Sequence, residues 1–373
     1  VQPLPDVERI ALLRANGIGD LVFALPAFDA LRRAYPQAHI TLLAAPWHVQ
    51  LFLDRPAPFD EVIAVPPSKG VLDSPDAPQD SPELREFFAG MRERRFDLAI
   101  QMHGGGRWSN PFLLQLGARV TAGLSTPDAE RLDIQLPYVY YQPETLRLLE
   151  LVSLVGAPPL APLPKIEVTE RDRREALRVV PAIAQELVLM HPGAGDPRRR
   201  WPAEKFATVA DSLARQGYRI ALVGSAGSAH LTEAVKSHMA EEALDLAGKI
   251  DLGGFLGLLS LSELLITNDS GPLHLATATG TASVAIYWCG NLINAGQPLR
   301  ARHRSAISWR LQCPVCGKDC TKEDCPHEES FVADVPVEEV EGYALELLGD
   351  PLGAAFAEYE LIVAGGRRNQ PPG

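Results

Sequence analysis

Four short stretches of this 373-residue chain hold residues whose types and spacing suit chemistry. The first, Ala15-Asn16-Gly17-Ile18-Gly19-Asp20, is a glycine turn closed by a carboxylate. At a strand-to-helix junction such a carboxylate can take a proton from a hydroxyl nucleophile; equally, Asp20 can cap the helix expected to begin at Leu21. The second, His191-Pro192-Gly193-Ala194-Gly195, precedes three consecutive arginines, Arg198 to Arg200. Small residues let a phosphate approach the backbone, and an arginine beside them offsets its charge through paired N–H donors. The alternative is a solvated basic loop. The third, Asn268-Asp269-Ser270-Gly271-Pro272-Leu273-His274, follows an apolar run and opens a helix with Pro272 in its first turn. Ser270 and Gly271 allow a diphosphate to reach the backbone N–H groups there, although an ordinary cap by Asp269 or Ser270 needs no ligand. The fourth places Cys313, Cys316, Cys320 and Cys325 within thirteen residues, with His327 just beyond. Thiolates at that density match a compact zinc knuckle, structural because four protein ligands leave no open position. Reduced thiols in a loop are the alternative.

These stretches need strands to end on and helices to begin. Apolar spacing predicts a strand at 9–14, a helix at 21–35 that stops before Pro36, and a strand at 39–44, a βαβ unit with a parallel sheet. Strand 61–65, helix 81–95 and strand 97–101 continue the alternation. Residues 66–82 hold five prolines and no apolar periodicity, the profile of a surface excursion. A helix at 144–155 ends in Gly156, and four prolines within 157–164 make a stiff linker. The second half repeats the pattern with strands at 187–190, 219–223, 264–267 and 283–288 and a helix at 203–216. Its strands end in small-residue loops, among them Gly224-Ser225-Ala226-Gly227. Ligands in such sheets bind at the carboxyl ends of strands. The expected architecture is α/β, two doubly wound domains with a cleft between them: an N-terminal domain at 1–160, a C-terminal domain at 165–350 that includes a Cys-rich loop at 313–327, and a tail at 351–373.

Composition narrows the class. At ~150 residues per domain the length calls for two domains. Hydrophobic residues at 46%, charged residues at 22%, 30 Gly and 32 Pro describe a folded globular chain, which excludes disorder, collagen and coiled coil. A formal charge of −12 argues against a general nucleic-acid binder. Eleven acids at 319–350 carry most of it, whereas 281–312 has no acid and four arginines, Arg300, Arg302, Arg304 and Arg310. Basic stretches facing the cleft would suit small anionic ligands. No apolar run reaches the ~18 residues that span a bilayer, no signal peptide opens the chain, and the cysteines cluster rather than spread, so a cytoplasmic protein is expected. Gly17-Ile18-Gly19 fails the dinucleotide fingerprint G-x-G-x-x-G because position 22 is Val22, which disfavours an NAD-dependent oxidoreductase.

Taken in order, residues 9–20 with Pro26 downstream, His191-Pro192-Gly193-Ala194 with Trp201-Pro202, and residues 268–274 with Gly280-Thr281 resemble glycosyltransferase family 9, the ADP-heptose:lipopolysaccharide heptosyltransferase family. The similarity runs from about residue 9 to about residue 290. It implies a GT-B fold of two Rossmann-like domains, a sugar nucleotide bound mainly by the C-terminal one, and inverting transfer that needs no metal or other cofactor. The implied acceptor is the lipopolysaccharide core or a related anionic glycan or glycolipid, with peripheral contact at the cytoplasmic face of the inner membrane. Asp20 then matches the general base. Asp269, Ser270, Gly271, Leu273 and His274 match the donor loop, with Gly193, Ala194, Gly195 and Gly224 in strand-end loops of the same domain. Either Arg199 or Arg200 falls where the family sets a basic residue against the donor phosphates. His103, Arg107 and Asn110, in the loop after strand 97–101, are acceptor-contact candidates. The usual Phe-Gly-Pro-Thr turn is replaced here by Tyr287-Trp288-Cys289-Gly290-Asn291. The same motifs would also permit a nucleotide-sugar-binding protein without transferase activity.

Overall fold

The computed structural model describes residues 2–72, 77–78, 80–181 and 186–349; the expected tail at 351–373 lies outside them. The chain divides into two units, Val1–Glu167 and Val168–Gly373. No helix among the described residues is long and apolar enough to cross a membrane.

The first unit runs β1 (Arg9–Leu13), α1 (Ile18–Ala34), β2 (His39–Ala44), α2 (Pro46–Phe52), β3 (Glu61–Ala64), α3 (Pro82–Glu93), β4 (Leu98–Gln101), α4 (Ser109–Leu114), β5 (Val120–Ser125), β6 (Ile134–Pro137) and α5 (Glu144–Ser153). Its six strands form one parallel sheet in the order β3-β2-β1-β4-β5-β6. Leu12 pairs with Leu42 on one side and with Ile100 on the other, and all three are fully buried. Strands covered on both faces read as continuous apolar runs for this reason. Strand order reverses between β1 and β4, so the chain leaves these two neighbours in opposite directions and opens a crevice at their carboxyl ends. Arg14 to Asp20 and Met102 to Trp108 follow those two ends.

α1 begins three residues earlier than the apolar spacing suggests. Gly17 occupies the N-cap position, and Asp20 lies inside the first turn instead of capping a helix from Leu21. The first, described part of the proline-rich stretch, residues 66–72, is also less of a surface excursion than its composition implies. Ser68 and Leu72 form an antiparallel bridge, and Val71 between them is buried.

The second unit runs α6 (Glu170–Val179), β7 (Leu187–His191), α7 (Ala203–Arg215), β8 (Arg219–Leu222), α8 (Ala229–His238), β9 (Ala243–Asp245), α9 (Leu252–Ser260), β10 (Leu264–Asn268), α10 (Gly271–Thr279), β11 (Ala282–Trp288), α11 (Cys289–Ala295), β12 (His303–Ser308) and α12 (Val337–Gly349). The sheet order is β12-β11-β10-β7-β8-β9, again parallel throughout. Counted from β7, this repeats the winding of the first unit, and its reversal falls between β7 and β10. Val188, Met190, Ile266, Val284, Phe206 and Leu213 pack the core beneath those strand ends.

Candidate active site

In the first unit Asp20 is fixed through both oxygens. Arg14, the residue after β1, donates from one terminal nitrogen to Asp20 Oδ1 at 3.2 Å and from Nε to the Asp20 carbonyl at 2.9 Å. The Gly17 N–H donates to Oδ2 at 3.2 Å. Arg14 is only 1% exposed, so its charge needs partners, and Glu144 of α5 supplies a second carboxylate at 3.1 Å. Arg147, equally buried, holds the other oxygen of Glu144. Two arginines and two carboxylates thus balance, while the Asp20 side chain stays 44% exposed. It lines a cavity of ≈ 710 Å³ together with Asn16, Trp47, Gln50, Leu72 and His103.

His103 enters the same cavity from the end of β4. Its Nδ1 accepts the Ala15 N–H at 3.2 Å, so the ring proton sits on Nε2. Burial, and next the Arg14 charge, lower its pKa to about 3 against a hydrogen bond to the Gly70 backbone. His103 is therefore neutral and a poor base. The other two acceptor candidates stand elsewhere. Arg107 is exposed and faces Asp128 at 3.6 Å. Asn110 is fully buried, its amide donating to the Glu130 carbonyl at 2.8 Å, because the turn at Gly106 folds directly over it. The structure thus brings His103 to Asp20 and leaves Arg107 and Asn110 away from that cavity. Trp47 and Gln50 were not among the sequence candidates; they sit on α2, whose seven residues are too few to show a period.

In the second unit the loops after β7 and β10 meet. Asn268 ties them: its amide donates to the Pro192 carbonyl at 2.8 Å and its oxygen accepts the Trp201 N–H at 3.0 Å. His191 shares hydrogen bonds with Thr267 and Ser270 at 3.2 and 3.3 Å, and burial lowers its pKa to about 4. A side chain at Gly193 would press within 3.0 Å of that ring. Ser270 holds the N-cap position of α10, yet its hydroxyl turns to the Asn268 carbonyl and makes no cap. The Ser270 hydroxyl therefore caps no first-turn N–H; Pro272 has none, and the Leu273 N–H meets the Ser270 carbonyl at 3.1 Å, while the positive end of the helix itself suits an anion.

Asp269 is 1% exposed. Burial raises its carboxyl, but His274, Arg199 and Asn291 outweigh that and keep it below the usual range. Arg199 donates to Oδ2 at 3.1 Å, Asn291 to the same atom at 2.8 Å, and His274 Nε2 lies 3.7 Å from Oδ1. Asn291 belongs to α11, which replaces the turn expected after β11. The three arginines divide the work: Arg198 pairs with Asp196 at 2.7 Å, Arg199 reaches the α10 entrance, and Arg200 Nε donates to the Ala194 carbonyl at 3.0 Å. Gly195 is open on the side where a Cβ would stand, and Gly224 lies in the loop just past the neighbouring β8. Of the basic stretch at 281–312, Arg304 and Arg310 face Glu346 and Asp334 at 2.8 and 3.9 Å and are already compensated.

The cysteine cluster differs from expectation by one ligand. Cys313, Cys316, Cys325 and His327 gather with their ligating atoms within 4.8 Å of one another. Cys320 lies outside the group, its Sγ 3.6 Å from the Lys318 carbonyl, because its N–H is tied to the Leu311 carbonyl at 3.0 Å beside the bridge between Gln312 and Asp319.

Comparison with known proteins supplies the context for this geometry. A family model described as glycosyltransferase family 9 (heptosyltransferase) matches residues 84–326. Lipopolysaccharide heptosyltransferase 2 of Salmonella typhimurium is 26% identical over 295 residues, 75% of this chain and 82% of that protein. A family 9 glycosyltransferase from Veillonella parvula superposes with a TM-score of 0.73 at 22% identity, covering 91% of this chain and 97% of that one. The ADP-heptose lipopolysaccharide heptosyltransferase II of E. coli gives 0.70 at 21%, covering 91% and 98%. The shared architecture is the GT-B fold, with two parallel α/β sheets.

Proposed function

The chain belongs to glycosyltransferase family 9 and is a glycosyltransferase, and from that premise we propose that it moves a heptose from ADP-heptose to a lipopolysaccharide-core acceptor by a single, inverting displacement with Asp20 as the base. The observation that carries this reading is the setting of Asp20: the Arg14 guanidinium holds one carboxylate oxygen and the Gly17 N–H the other, and the side chain still lines an open cavity. A carboxylate so held accepts a proton from an acceptor hydroxyl as that hydroxyl attacks the anomeric carbon. His103, the other titratable group lining the cavity, is held neutral with both ring nitrogens engaged and is a contact residue in this scheme.

The first unit binds the acceptor and the second the donor. The donor diphosphate sits at the start of α10, where no side chain caps the helix, with Gly193, Ala194 and Gly195 admitting it on the β7 side. Arg199 is its cation; Arg200 shapes the loop from behind through Ala194. Asp269 positions Arg199, His274 and Asn291, the last two facing the sugar. A helix N-terminus and an arginine stabilise the departing diphosphate electrostatically, so the reaction needs no divalent ion. The same arginine, helix N-terminus and hydrogen bonds would serve a non-catalytic sugar-nucleotide binder; Asp20 separates the two readings.

The test is Asp20→Asn, assayed with ADP-heptose and a heptose-acceptor core oligosaccharide. Loss of a positioned base lowers kcat by roughly 10²–10⁴-fold and leaves the ADP dissociation constant unchanged. Transfer at the parent rate in a folded variant sinks the assignment.

A further inference from the structure

The region from 309 to 330 raises a problem that glycosyl transfer does not solve. It contains no helix and no strand beyond one isolated bridge, and Cys313 is its only buried residue. A segment without a core needs a cross-link to hold one shape. We propose that Cys313, Cys316, Cys325 and His327 bind one zinc ion, and that this ion braces the loop carrying Arg199.

The donor chemistry and spacing fit. Zinc with Zn–S bonds of about 2.3 Å and Zn–N bonds of about 2.0 Å in a tetrahedron sets its ligand atoms about 3.5–3.8 Å apart. Cys316 and Cys325 sulfurs lie 3.5 Å apart and Cys313 Sγ is 3.6 Å from His327 Nδ1, both at this spacing; Cys325 Sγ, 3.0 Å from the same nitrogen, has to move slightly outward to admit the ion. The first two ligands sit on a tight turn, Cys313-Pro314-Val315-Cys316-Gly317. Its geometry requires Gly317 at φ +74°, which a side chain would strain. Gly317 N–H closes the turn on the Cys313 carbonyl at 3.0 Å, and Val315 N–H points at Cys313 Sγ at 3.4 Å. A sulfur that receives a backbone N–H is stabilised as the thiolate a metal requires. Three thiolates and an imidazole are a soft, closed ligand set that selects zinc for a structural role.

The brace follows from what the chain does next. Three residues past His327, Ser330 Oγ donates to the Arg200 carbonyl at 2.6 Å, and Phe331 N–H donates to the Arg198 carbonyl at 2.7 Å. The Arg198 guanidinium rests over the Phe331 ring at 5.7 Å. Trp201 Nε1 and Lys205 Nζ donate to the Val335 carbonyl at 3.0 and 2.9 Å. Residues 330–335 therefore form the back wall of the arginine loop on both sides of Arg199. An ion fixing residue 327 shortens the free chain leading into that wall.

The experiment uses full-length chain purified under reducing conditions. Metal analysis should find one zinc per chain in the parent and in Cys320→Ser, loss of it in Cys316→Ser and His327→Ala, and its return in His327→Cys. Hydrogen exchange at amides 198–201 and 330–335 should quicken when a chelator strips the metal and return to the starting rate when zinc is added back. A parent that takes up no zinc, iron in its place, a Cys316–Cys325 disulfide, or zinc kept by His327→Ala and lost by Cys320→Ser overturns the site. Exchange at 198–201 that ignores the metal overturns the brace. None of these readouts involves donor, acceptor or transfer, so they stand or fall separately from the catalytic reading.

Discussion

Acidification should destabilise both units well before their carboxylates protonate. His48 and His103 in the first unit, and His191 and His303 in the second, are each at most 9% exposed. Burial is the leading cause in all four, lowering their pKa values to about 4, 3, 4 and 3 from an ordinary 6.5. In the unfolded chain these rings take up protons below about pH 6.5, whereas the folded ones stay neutral until about pH 4 or 3. The unfolded state therefore binds more protons throughout that window, and stability falls as pH falls. At pH 5 each histidine has lost about 2 kcal/mol of its contribution, about 4 kcal/mol per unit. That is a large part of a typical ~5–15 kcal/mol. Asp29, whose carboxyl burial raises, opposes the trend, but it is one group against four. Urea denaturation at about pH 7.5, 6 and 5 measures the effect, and the midpoint should drop at each step. His303→Gln tests the cause, because this ring lies outside both proposed sites and bonds Ser283 Oγ at 2.8 Å. The variant should be less stable near neutrality and less sensitive to acid. A midpoint that holds steady from pH 7.5 to 5 refutes the reasoning.

The remaining expectations concern single side chains. Arg199→Ala should weaken ADP binding by at least tenfold in calorimetry, equivalent to the ~1.5–3 kcal/mol of a charge-assisted hydrogen bond, and Arg200→Ala by clearly less; the reverse order would exchange their roles. Arg14→Gln strips a buried cation from Asp20 and Glu144 and should cost about 3–5 kcal/mol, read as a lowered unfolding midpoint, and a loss under about 1 kcal/mol would show that the network does not depend on it. Trp47→Ala should raise KM for the acceptor and leave the ADP dissociation constant unchanged, since the indole lines the cavity beside Asp20; a shift in ADP affinity instead would place the wrong ligand in that cavity.

How far the sequence could be read depended on the range of the interactions involved. The alternation of strands and helices is local, and it marked β1, β2, β4, β7, β10 and β11 because each is a short apolar run bounded by turn residues. The loops proposed to hold the donor were legible for the same reason, since Asn268 to His274 and His191 to Gly195 are each contiguous in sequence. Helices of seven residues or fewer escaped, among them α2, α4 and α11, because one or two turns cannot display a helical period. With α2 went Trp47 and Gln50; Asn291 was marked as part of a departing turn, but its bond to Asp269 was not legible.

What no local pattern carries is the partner of a charge. Arg14 reads as the end of an apolar strand, Glu144 as an ordinary residue in the first turn of a helix, and 130 positions separate them. Only the fold makes them neighbours. Yet Arg14 is what distinguishes the two readings of Asp20. A capping aspartate needs nothing beyond the helix N–H groups in front of it. Asp20 does meet the Gly17 N–H, but its other oxygen is held by a cation that is 1% exposed and shared with a second carboxylate. Burying such a charge is costly and a plain cap would not require it. The same holds at Asp269, where burial raises the carboxyl and three donors from separate elements are needed to keep it charged. In both units a residue that local sequence assigns to a helix start is instead the centre of a converging set of long-range polar contacts. Such an arrangement costs stability to maintain and is expected where charge must stand ready at a fixed place for a reaction.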